Sequence, residues 1–136
     1  MLLSGGLIPN IIDEIPILAV VATQVEGRIE IRDAAELRVK ESDRISSVVE
    51  GLKSVGVAVE EFDDGFAVSG PQKLDGGRVA CAGDHRIAMA FTVAGLLSSG
   101  STEVAGSHCA NVSFPGFYEL LSSVTDEGAI RSEPAR

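Results

Sequence analysis

Two long segments of this chain carry apolar residues on almost every side of a helix, and this feature constrains the fold more than any other. The first runs from Asp13 to Val25, with Pro16 in its first turn, and the second runs from Asp84 to Leu97. Pro16 is tolerated there because the first N–H groups of a helix have no partner within it. A helix that is apolar all round must be covered on most of its surface by other elements. The chain therefore needs at least one further layer of structure around these two helices.

Strand-like and helical patterns alternate along the rest of the chain. Arg28–Arg32 alternates polar and apolar residues, which is typical of a half-buried strand, whereas Ser42–Val55 has apolar residues at helical spacing. Asp63-Asp64-Gly65 separates two strand-like runs and predicts a hairpin turn. The other predicted elements are the strands Val57–Phe62, Phe66–Ser69 and Ser101–Val104 and the helix Phe114–Val124. This alternation predicts an α/β fold.

The order of the predicted elements repeats. Gly27 and Gly100, which follow the two apolar helices, are 73 positions apart, and the same offset places Glu30 on Glu103. Two copies of a helix–strand–helix–hairpin unit can bury their apolar helices only by stacking, and stacked units usually occur in threes or more. Two units are therefore expected to form part of a larger domain.

Composition and charge exclude several classes of partner. The net charge of −9 opposes binding to nucleic acid or to an anionic membrane, and the 4% aromatic content with no Trp leaves little for base stacking. The most apolar stretch, Ile15–Ala22, is far shorter than the about 20 residues of a membrane span. No signal-peptide pattern is present, and Cys81 and Cys109 have neither a zinc spacing nor a disulfide pattern. We expect a soluble, cytoplasmic protein.

Charged residues stand at the starts of the predicted helices. Asp13 and Glu14 open the first apolar helix, where a role as helix cap is a sufficient structural explanation. Arg38–Arg44 has five charged residues among seven, and these could be no more than solvated ion pairs on a helix surface. Lys40 and Arg44 at a helix N-terminus oppose the helix dipole, however, unless an anion binds among them.

The third charged helix start is Asp84-His85-Arg86. It is either a cap followed by two polar residues, or a second anion site in which Arg86 is a bidentate donor and His85 carries a proton. One anionic ligand held between helix N-termini would account for all three helix starts. The residues by themselves thus predict binding of a phosphorylated or carboxylated small molecule.

Four strings of residues between Ile8 and Val124 resemble the 5-enolpyruvylshikimate-3-phosphate synthase family in order and spacing. They are Asp13–Pro16, Glu36–Ile45, Asp84–Ala90 and Ser113–Phe117. The resemblance implies an α/β (α+β) fold of two similar domains, each an inside-out α/β barrel of three βαβαββ units whose helices point their N-termini at the interdomain cleft. It implies transfer of the enolpyruvyl group of phosphoenolpyruvate to the 5-hydroxyl of shikimate 3-phosphate, with release of phosphate. It also implies the shikimate pathway of aromatic amino acid biosynthesis, no metal or organic cofactor, and inhibition by glyphosate.

The same resemblance implies that the chain is a fragment. Residues 1–124 would hold about two of the three units of the C-terminal-half domain, and residues 125–136, which are polar and patternless, would be a disordered tail. The partner of the chain would then be the missing N-terminal part of the same enzyme. We expect the isolated chain to be inactive and to self-associate through uncovered apolar helix faces.

The resemblance also assigns roles to residues. The implied substrate-binding residues are Asp13, Lys40, Arg44, His85 and Arg86. Asp13 would be the catalytic base for the attacking hydroxyl, near which Lys40 would bind, and Glu41 would be the acid that protonates the methylene carbon of phosphoenolpyruvate. Arg44 and Arg86 would bind its carboxylate and phosphate.

One position departs from the family pattern. Val112 stands where many members have a lysine that contacts phosphoenolpyruvate. Either another cation compensates, or the affinity for phosphoenolpyruvate is lower. Two alternatives to the main interpretation are the related UDP-N-acetylglucosamine enolpyruvyl transferase, whose strings are not recognised here, and a non-catalytic anion-binding or scaffold module.

Overall fold

The computed structural model describes residues 1–134, which form two consecutive units of strands and helices. The strands are β1 (Leu2–Leu3), β2 (Gly27–Ile31), β3 (Glu60–Phe62), β4 (Gly65–Gly70), β5 (Gly77–Ala80) and β6 (Thr102–Ala105). The α-helices are α1 (Ile8–Ile11), α2 (Ile15–Ala22), α3 (Arg44–Ser54), α4 (His85–Leu97) and α5 (Phe117–Ser123). Short 3₁₀ helices cover Gly5–Leu7, Ile12–Glu14, Ala35–Val39 and Ser107–Val112.

The first unit contains a complete four-stranded sheet. Its strand order is β1-β2-β4-β3, in which β1 runs parallel to β2 and the other neighbours are antiparallel. The predicted hairpin is confirmed, because β3 and β4 pair directly and Phe62 lies opposite Gly65.

The second unit repeats only part of this pattern. Its strands β5 and β6 pair in parallel, as β1 and β2 do, and Glu103 lies opposite Arg78 as Glu30 lies opposite Leu2. No antiparallel strands follow α5 within residues 1–134, so the second copy of the predicted helix–strand–helix–hairpin unit lacks the hairpin of the first. The repeat extends through strand, helix, strand and helix, and then stops.

The predicted helices exist, but several of their boundaries differ. The helix predicted from Asp13 begins as a 3₁₀ turn, and regular α2 starts only at Ile15 with Pro16 in its first turn. The helix predicted over Phe114–Val124 is shortened to α5, because a turn with Gly116 at a φ of 82° precedes it. Strands β1, with two residues, and β5, with four residues, were not predicted.

Three helices pack together and hold the aliphatic core. Ile15 of α2, Leu52 of α3 and Ile87 of α4 have no exposed surface. The helices α3 and α4 approach closely at Gly51, where an added Cβ would lie 2.3 Å from the ring of Phe91. A larger residue at position 51 would therefore push the two helices apart, and with them the loops that precede both helices.

Some apolar surface is left exposed on the described residues. Val21 of α2 is 45% exposed, Leu97 of α4 is 46% exposed, and Leu120 of α5 is 55% exposed. This agrees with the expectation of uncovered apolar helix faces. Residues 125–134 contain no helix or strand, whereas residues 135 and 136 of the predicted tail lie outside the described residues.

One helical run is longer and more apolar than we expected from the sequence. Gly5–Ala22 is long and apolar enough to cross a membrane by length and composition alone, and it exceeds the Ile15–Ala22 stretch singled out above. The run is divided into four short helical segments, carries Asp13 and Glu14 near its middle, and ends in α2, which packs against α4. The core helix of a soluble protein meets the same criterion, so the run is weak evidence for a membrane span.

Candidate active site

Arg44, the first residue of α3, lies at the centre of a cluster of carboxylates. Its side chain is only 2% exposed and donates from Nε to Asp84 Oδ2 at 2.9 Å and from Nη1 to Asp13 Oδ1 at 3.0 Å. Its Nη2 donates to Glu41 Oε2 at 2.5 Å. A guanidinium offers five N–H groups in a planar fork, which allows one arginine to join three segments of the chain. The cluster therefore fixes the start of α3 against the segments that begin α2 and α4.

Asp84 is the buried partner in this cluster. Its carboxylate has no exposed surface, accepts a hydrogen bond from Ser42 Oγ at 2.8 Å, and caps α4 by accepting from the backbone N–H of Arg86 at 3.0 Å. Burial by itself would raise the pKa of Asp84, but the hydrogen bonds from Arg44 and Ser42 and the charge of Arg44 hold that pKa below its ordinary value. Asp84 is thus a charged group in the interior, and it neutralises much of the charge of Arg44.

Asp13 and Glu41 stand at the rim of the same cluster. Their side chains are about half exposed, at 50% and 51%, while each contributes one oxygen to Arg44. Each carboxylate therefore keeps an oxygen for a further partner, and each side chain has room to turn toward solvent. Two adjustable carboxylates on a fixed guanidinium could serve as a proton acceptor and a proton donor for one bound molecule.

Asp13 also lines a cleft of about 240 Å³ between α2 and α4. Arg86 lies on the opposite wall of this cleft, and its Nη1 donates to Glu14 Oε1 at 3.2 Å. Arg86 Nε is buried and has no hydrogen-bond partner among residues 1–134. The remainder of the cleft wall is mostly apolar and includes Met89 and Phe117. The cleft thus combines the partly exposed guanidinium of Arg86 with a mostly apolar wall.

The structure brings together some of the predicted site residues and leaves others apart. Asp13, Glu41 and Arg44 are in direct contact, and Arg86 shares the cleft with Asp13. Lys40 instead forms a pair with Glu36 at 3.8 Å and does not line the cleft. His85 begins α4 and is partly exposed.

Sequence reasoning missed two features of this region. It treated Asp84 only as a helix cap, which is confirmed, but the contact with Arg44 joins positions 40 residues apart and has no local signal. It also overlooked Arg38, which binds Asp43, Glu61 and two backbone carbonyls and holds the start of α3 against β3. Asp43, the cap of α3, has its pKa lowered: burial opposes the shift, but hydrogen bonds from Ser46 and Arg38 outweigh it.

The charge balance of the site favours cations over anions. Four carboxylates face two guanidinium groups, and they are Asp13, Glu14, Glu41 and Asp84 against Arg44 and Arg86. Val112, at the end of a 3₁₀ helix, is 82% exposed and adds no charge. A strongly anionic ligand would therefore need cations in addition to these two guanidinium groups.

The two cysteines lie beside this region. Cys81 and Cys109 are both free and buried, with their sulfur atoms 3.5 Å apart. Burial raises the pKa of the Cys109 thiol to about 12, so that thiol is protonated at neutral pH. Within residues 1–134, no group of three or more His, Cys, Asp or Glu side chains is arranged to hold a metal ion.

Repeated strand–helix units form an α/β protein in which acids and arginines gather where α2, α3 and α4 begin, an arrangement suited to a small charged ligand. Residues 3–121 match the family model described as EPSP synthase (3-phosphoshikimate 1-carboxyvinyltransferase). The chain belongs to this family, and the resemblance noted in its sequence is confirmed at the level of the family.

Relatives and solved structures agree with this assignment. The 3-phosphoshikimate 1-carboxyvinyltransferase of Alkaliphilus oremlandii is 52% identical over 123 residues, which are 90% of this chain and 29% of that enzyme. The corresponding enzyme of Pelotomaculum thermopropionicum is 55% identical over 120 residues, or 88% of this chain and 28% of that enzyme. The structure of EPSP synthase from Acinetobacter baumannii superposes with a TM-score of 0.86 at 38% identity and covers 90% of this chain and 29% of that one.

The chain spans less than a third of the length of these relatives. The α/β fold predicted from the sequence is confirmed by the structural match. The comparisons assign no role to any individual residue of the site.

Proposed function

We propose that this chain is the C-terminal portion of an EPSP synthase and contributes one wall of its active-site cleft. In this proposal the complete enzyme transfers the enolpyruvyl group of phosphoenolpyruvate to the 5-hydroxyl of shikimate 3-phosphate and releases phosphate, in the cytoplasm. Residues 1–124 are part of the C-terminal-half domain, and the following residues are a tail. The observation that carries the proposal is the pair of half-exposed carboxylates, Asp13 and Glu41, on the buried guanidinium of Arg44.

The reaction requires the chemistry that such a pair offers. Addition of an alcohol to the enol double bond of phosphoenolpyruvate needs one group to take the proton of the hydroxyl and another to deliver a proton to the methylene carbon, and the elimination of phosphate reverses both transfers. We assign the first role to Asp13 and the second to Glu41. Each such proton transfer typically contributes about 10²–10⁴-fold to the rate.

Arg44 and Arg86 are assigned to the anionic groups of phosphoenolpyruvate. Four N–H groups of Arg44 are directed at carboxylates when no substrate is bound, so a bidentate grip on a substrate carboxylate requires Asp13 or Glu41 to move away. Both acids are half exposed and can do so, whereas Asp84 is buried and stays. Substrate binding would thereby release a carboxylate for proton transfer. Arg86 contacts Glu14 at 3.2 Å, and their side chains are 32% and 59% exposed, so this contact can be exchanged for an anionic group of the substrate.

Lys40 and His85 complete the proposed substrate-binding set. Lys40 makes a long contact to Glu36 at 3.8 Å, which is easily exchanged for a substrate hydroxyl or phosphate. His85 stands at the start of α4, where the helix dipole favours an anionic ligand.

The excess of carboxylates at this wall supports the view that the isolated chain does not turn over. A substrate with several negative charges is not held by two guanidinium groups that four carboxylates already surround. The remaining cations would come from the part of the enzyme that this chain does not span.

A phosphate-release assay with both substrates tests the proposal. The isolated chain should release no phosphate. A chimera in which the chain replaces the matching 123 residues of the Alkaliphilus oremlandii enzyme should release phosphate, because the relatives are 52% identical there. A folded chimera without activity would refute the proposed function and favour a non-catalytic anion-binding module. Phosphate release by the isolated chain would refute the proposal that this chain supplies only one wall of the active-site cleft.

A further inference from the structure

We infer that Arg38 is a positioning residue, which holds the loop that carries Glu41 in the geometry needed for proton transfer. This loop consists of residues 40–43 and connects the 3₁₀ helix Ala35–Val39 to α3. The inference rests on the proposed function, because it takes Glu41 as the proton donor. Arg38 itself does not line the cleft and acts through the loop.

Packing does little to fix this loop. Its residues belong to no helix or strand, and Val39, the apolar residue just before it, is 79% exposed. The side chain of Glu41 at the centre of the loop is 51% exposed. A segment with few buried apolar contacts is easily displaced, so polar contacts at its two ends must set its position.

Arg38 closes the loop with all three nitrogen atoms of its guanidinium. Its Nη1 donates to Asp43 Oδ2 at 3.0 Å, which joins two residues that stand on either side of Glu41 in the chain. Its Nε donates to the carbonyl of Asp63 at 2.8 Å, and its Nη2 donates to the carbonyl of Phe62 at 2.8 Å. Both carbonyls belong to the hairpin of β3 and β4, whose strands are paired. The loop is therefore tied to a fixed part of the backbone.

The shape of the Arg38 side chain matters as much as its charge. A guanidinium offers five N–H groups in a rigid plane, so it can donate to a carboxylate on one side and to two carbonyls on the other. A lysine has a single nitrogen atom at the end of its side chain and cannot span these partners. We therefore expect Arg38→Lys to keep the charge but to release the loop.

The proposed reaction needs this anchor most when substrate is bound. Without substrate, Glu41 Oε2 accepts from Arg44 Nη2, but binding of phosphoenolpyruvate requires a carboxylate to leave Arg44. Ser42 Oγ donates to the buried Asp84 at 2.8 Å and holds the loop just after Glu41. Arg38 holds the loop on the side before Glu41. Loss of Arg38 would leave the proton donor anchored on one side only, and a misplacement of about 1 Å can lower a rate by about 10²-fold.

A double-variant cycle in the Alkaliphilus oremlandii chimera described above tests whether Arg38 acts through Glu41. Arg38→Ala should lower kcat by about 10²-fold with little change in the KM for phosphoenolpyruvate, because Arg44 and Arg86 remain in place. In the Glu41→Gln background, Arg38→Ala should have almost no further effect on kcat, since the group that it positions is already gone.

Equal effects of Arg38→Ala in the two backgrounds would assign Arg38 a general structural role and would overturn the inference. A near-normal kcat for Arg38→Ala would overturn it as well. An unmodified chimera without activity would instead refute the proposed function.

Two further variants separate the loop from ion pairing in general. Arg28→Ala is the matched control, because Arg28 also pairs with a carboxylate on β3, Glu60 at 2.8 Å, while its other partner Glu30 lies in the same sheet. It should leave kcat unchanged, whereas Arg38→Lys should lower kcat. A normal kcat for Arg38→Lys, or a loss in Arg28→Ala as large as that in Arg38→Ala, would contradict the inference.

Nuclear magnetic resonance tests the anchor in this chain without any substrate. The order parameter of the Glu41 backbone N–H should be about 0.85, as in rigid backbone, and should fall below about 0.6 in Arg38→Ala. Amides of α4 should stay rigid, and Arg28→Ala should leave Glu41 unchanged. An unchanged order parameter of Glu41 in Arg38→Ala would overturn the inference. Because this readout involves no turnover, a failed inference is distinguishable from a failed proposed function.

Discussion

Replacing Asp84 by Asn should destabilise the chain by about 3 kcal/mol, because Arg44 would be left without its buried counter-charge. The side chains of Arg44 and Asp84 are 2% and 0% exposed. Removing one partner of a buried ion pair typically costs about 3–5 kcal/mol, since the other charge stays in the interior. The half-exposed Asp13 and Glu41 still contact Arg44, which places the expected loss at the lower end of that range. Asn caps helices as well as Asp does, so the start of α4 should be preserved.

Urea unfolding followed by circular dichroism measures this loss. Asp43→Asn is the matched control, because Asp43 caps α3 in the way that Asp84 caps α4. Asp43 pairs with Arg38, but this ion pair is more exposed, at 40% for Asp43 and 27% for Arg38. An ion pair of that exposure contributes only about 0–1 kcal/mol. If Asp84→Asn lowers the free energy of unfolding by no more than Asp43→Asn does, then the buried ion pair does not stabilise the fold.

Three further predictions concern acid stability, catalysis and association. The pKa of Asp84 is held below its ordinary value of 3.8, so its contribution to stability is present above that pH and is lost as the pH falls through the lower folded pKa. Unfolding midpoints measured from pH 6 down to pH 2 should therefore fall less steeply for Asp84→Asn than for the unmodified chain, and parallel curves would contradict this. In the chimera, Glu41→Gln should lower kcat by about 10²–10⁴-fold with a modest change in KM, whereas Arg44→Ala should mainly weaken phosphoenolpyruvate binding. A near-normal kcat for Glu41→Gln would exclude Glu41 as the catalytic acid. Sedimentation of the isolated chain should show self-association that Leu120→Glu reduces, because Leu120 is 55% exposed on α5, and a monomer at all concentrations would refute this.

Local patterns predicted the elements that have a strong period or a clear boundary signal. The helices α3 and α4 were predicted to within three residues at each end, since Asp43 and Asp84 cap them and glycines follow them. The hairpin of β3 and β4 followed from its acidic Gly-containing turn. The short strands β1 and β5 were missed, because each is a strand through its pairing with a strand far along the chain, β2 or β6.

The candidate site was likewise predictable from the sequence only in part. The charged residues at the starts of its helices could be named from the sequence, because packing of the apolar helices does not require acids and arginines there. The arrangement of these residues relative to one another could not be predicted from the sequence. Lys40 is an example, because it lies within the same charged run as Arg44 yet pairs with Glu36 and does not line the cleft.

Sequence by itself determined approximately where the long helices begin, that Asp84 caps α4, that the order of elements repeats, and which family the strings resemble. These properties depend on the spacing and chemistry of residues close together along the chain. The cap expected at Asp13 and Glu14 was wrong, because neither side chain caps a helix there. Only the tertiary structure decided that Arg44 is buried among Asp13, Glu41 and Asp84, and that among residues 1–134 β2 is paired on both edges while β6 is paired on one. Both facts depend on which distant segments become neighbours. Burial then sets their energetic consequences, because a charge or a backbone N–H is costly only where water is excluded and no partner has been brought to it.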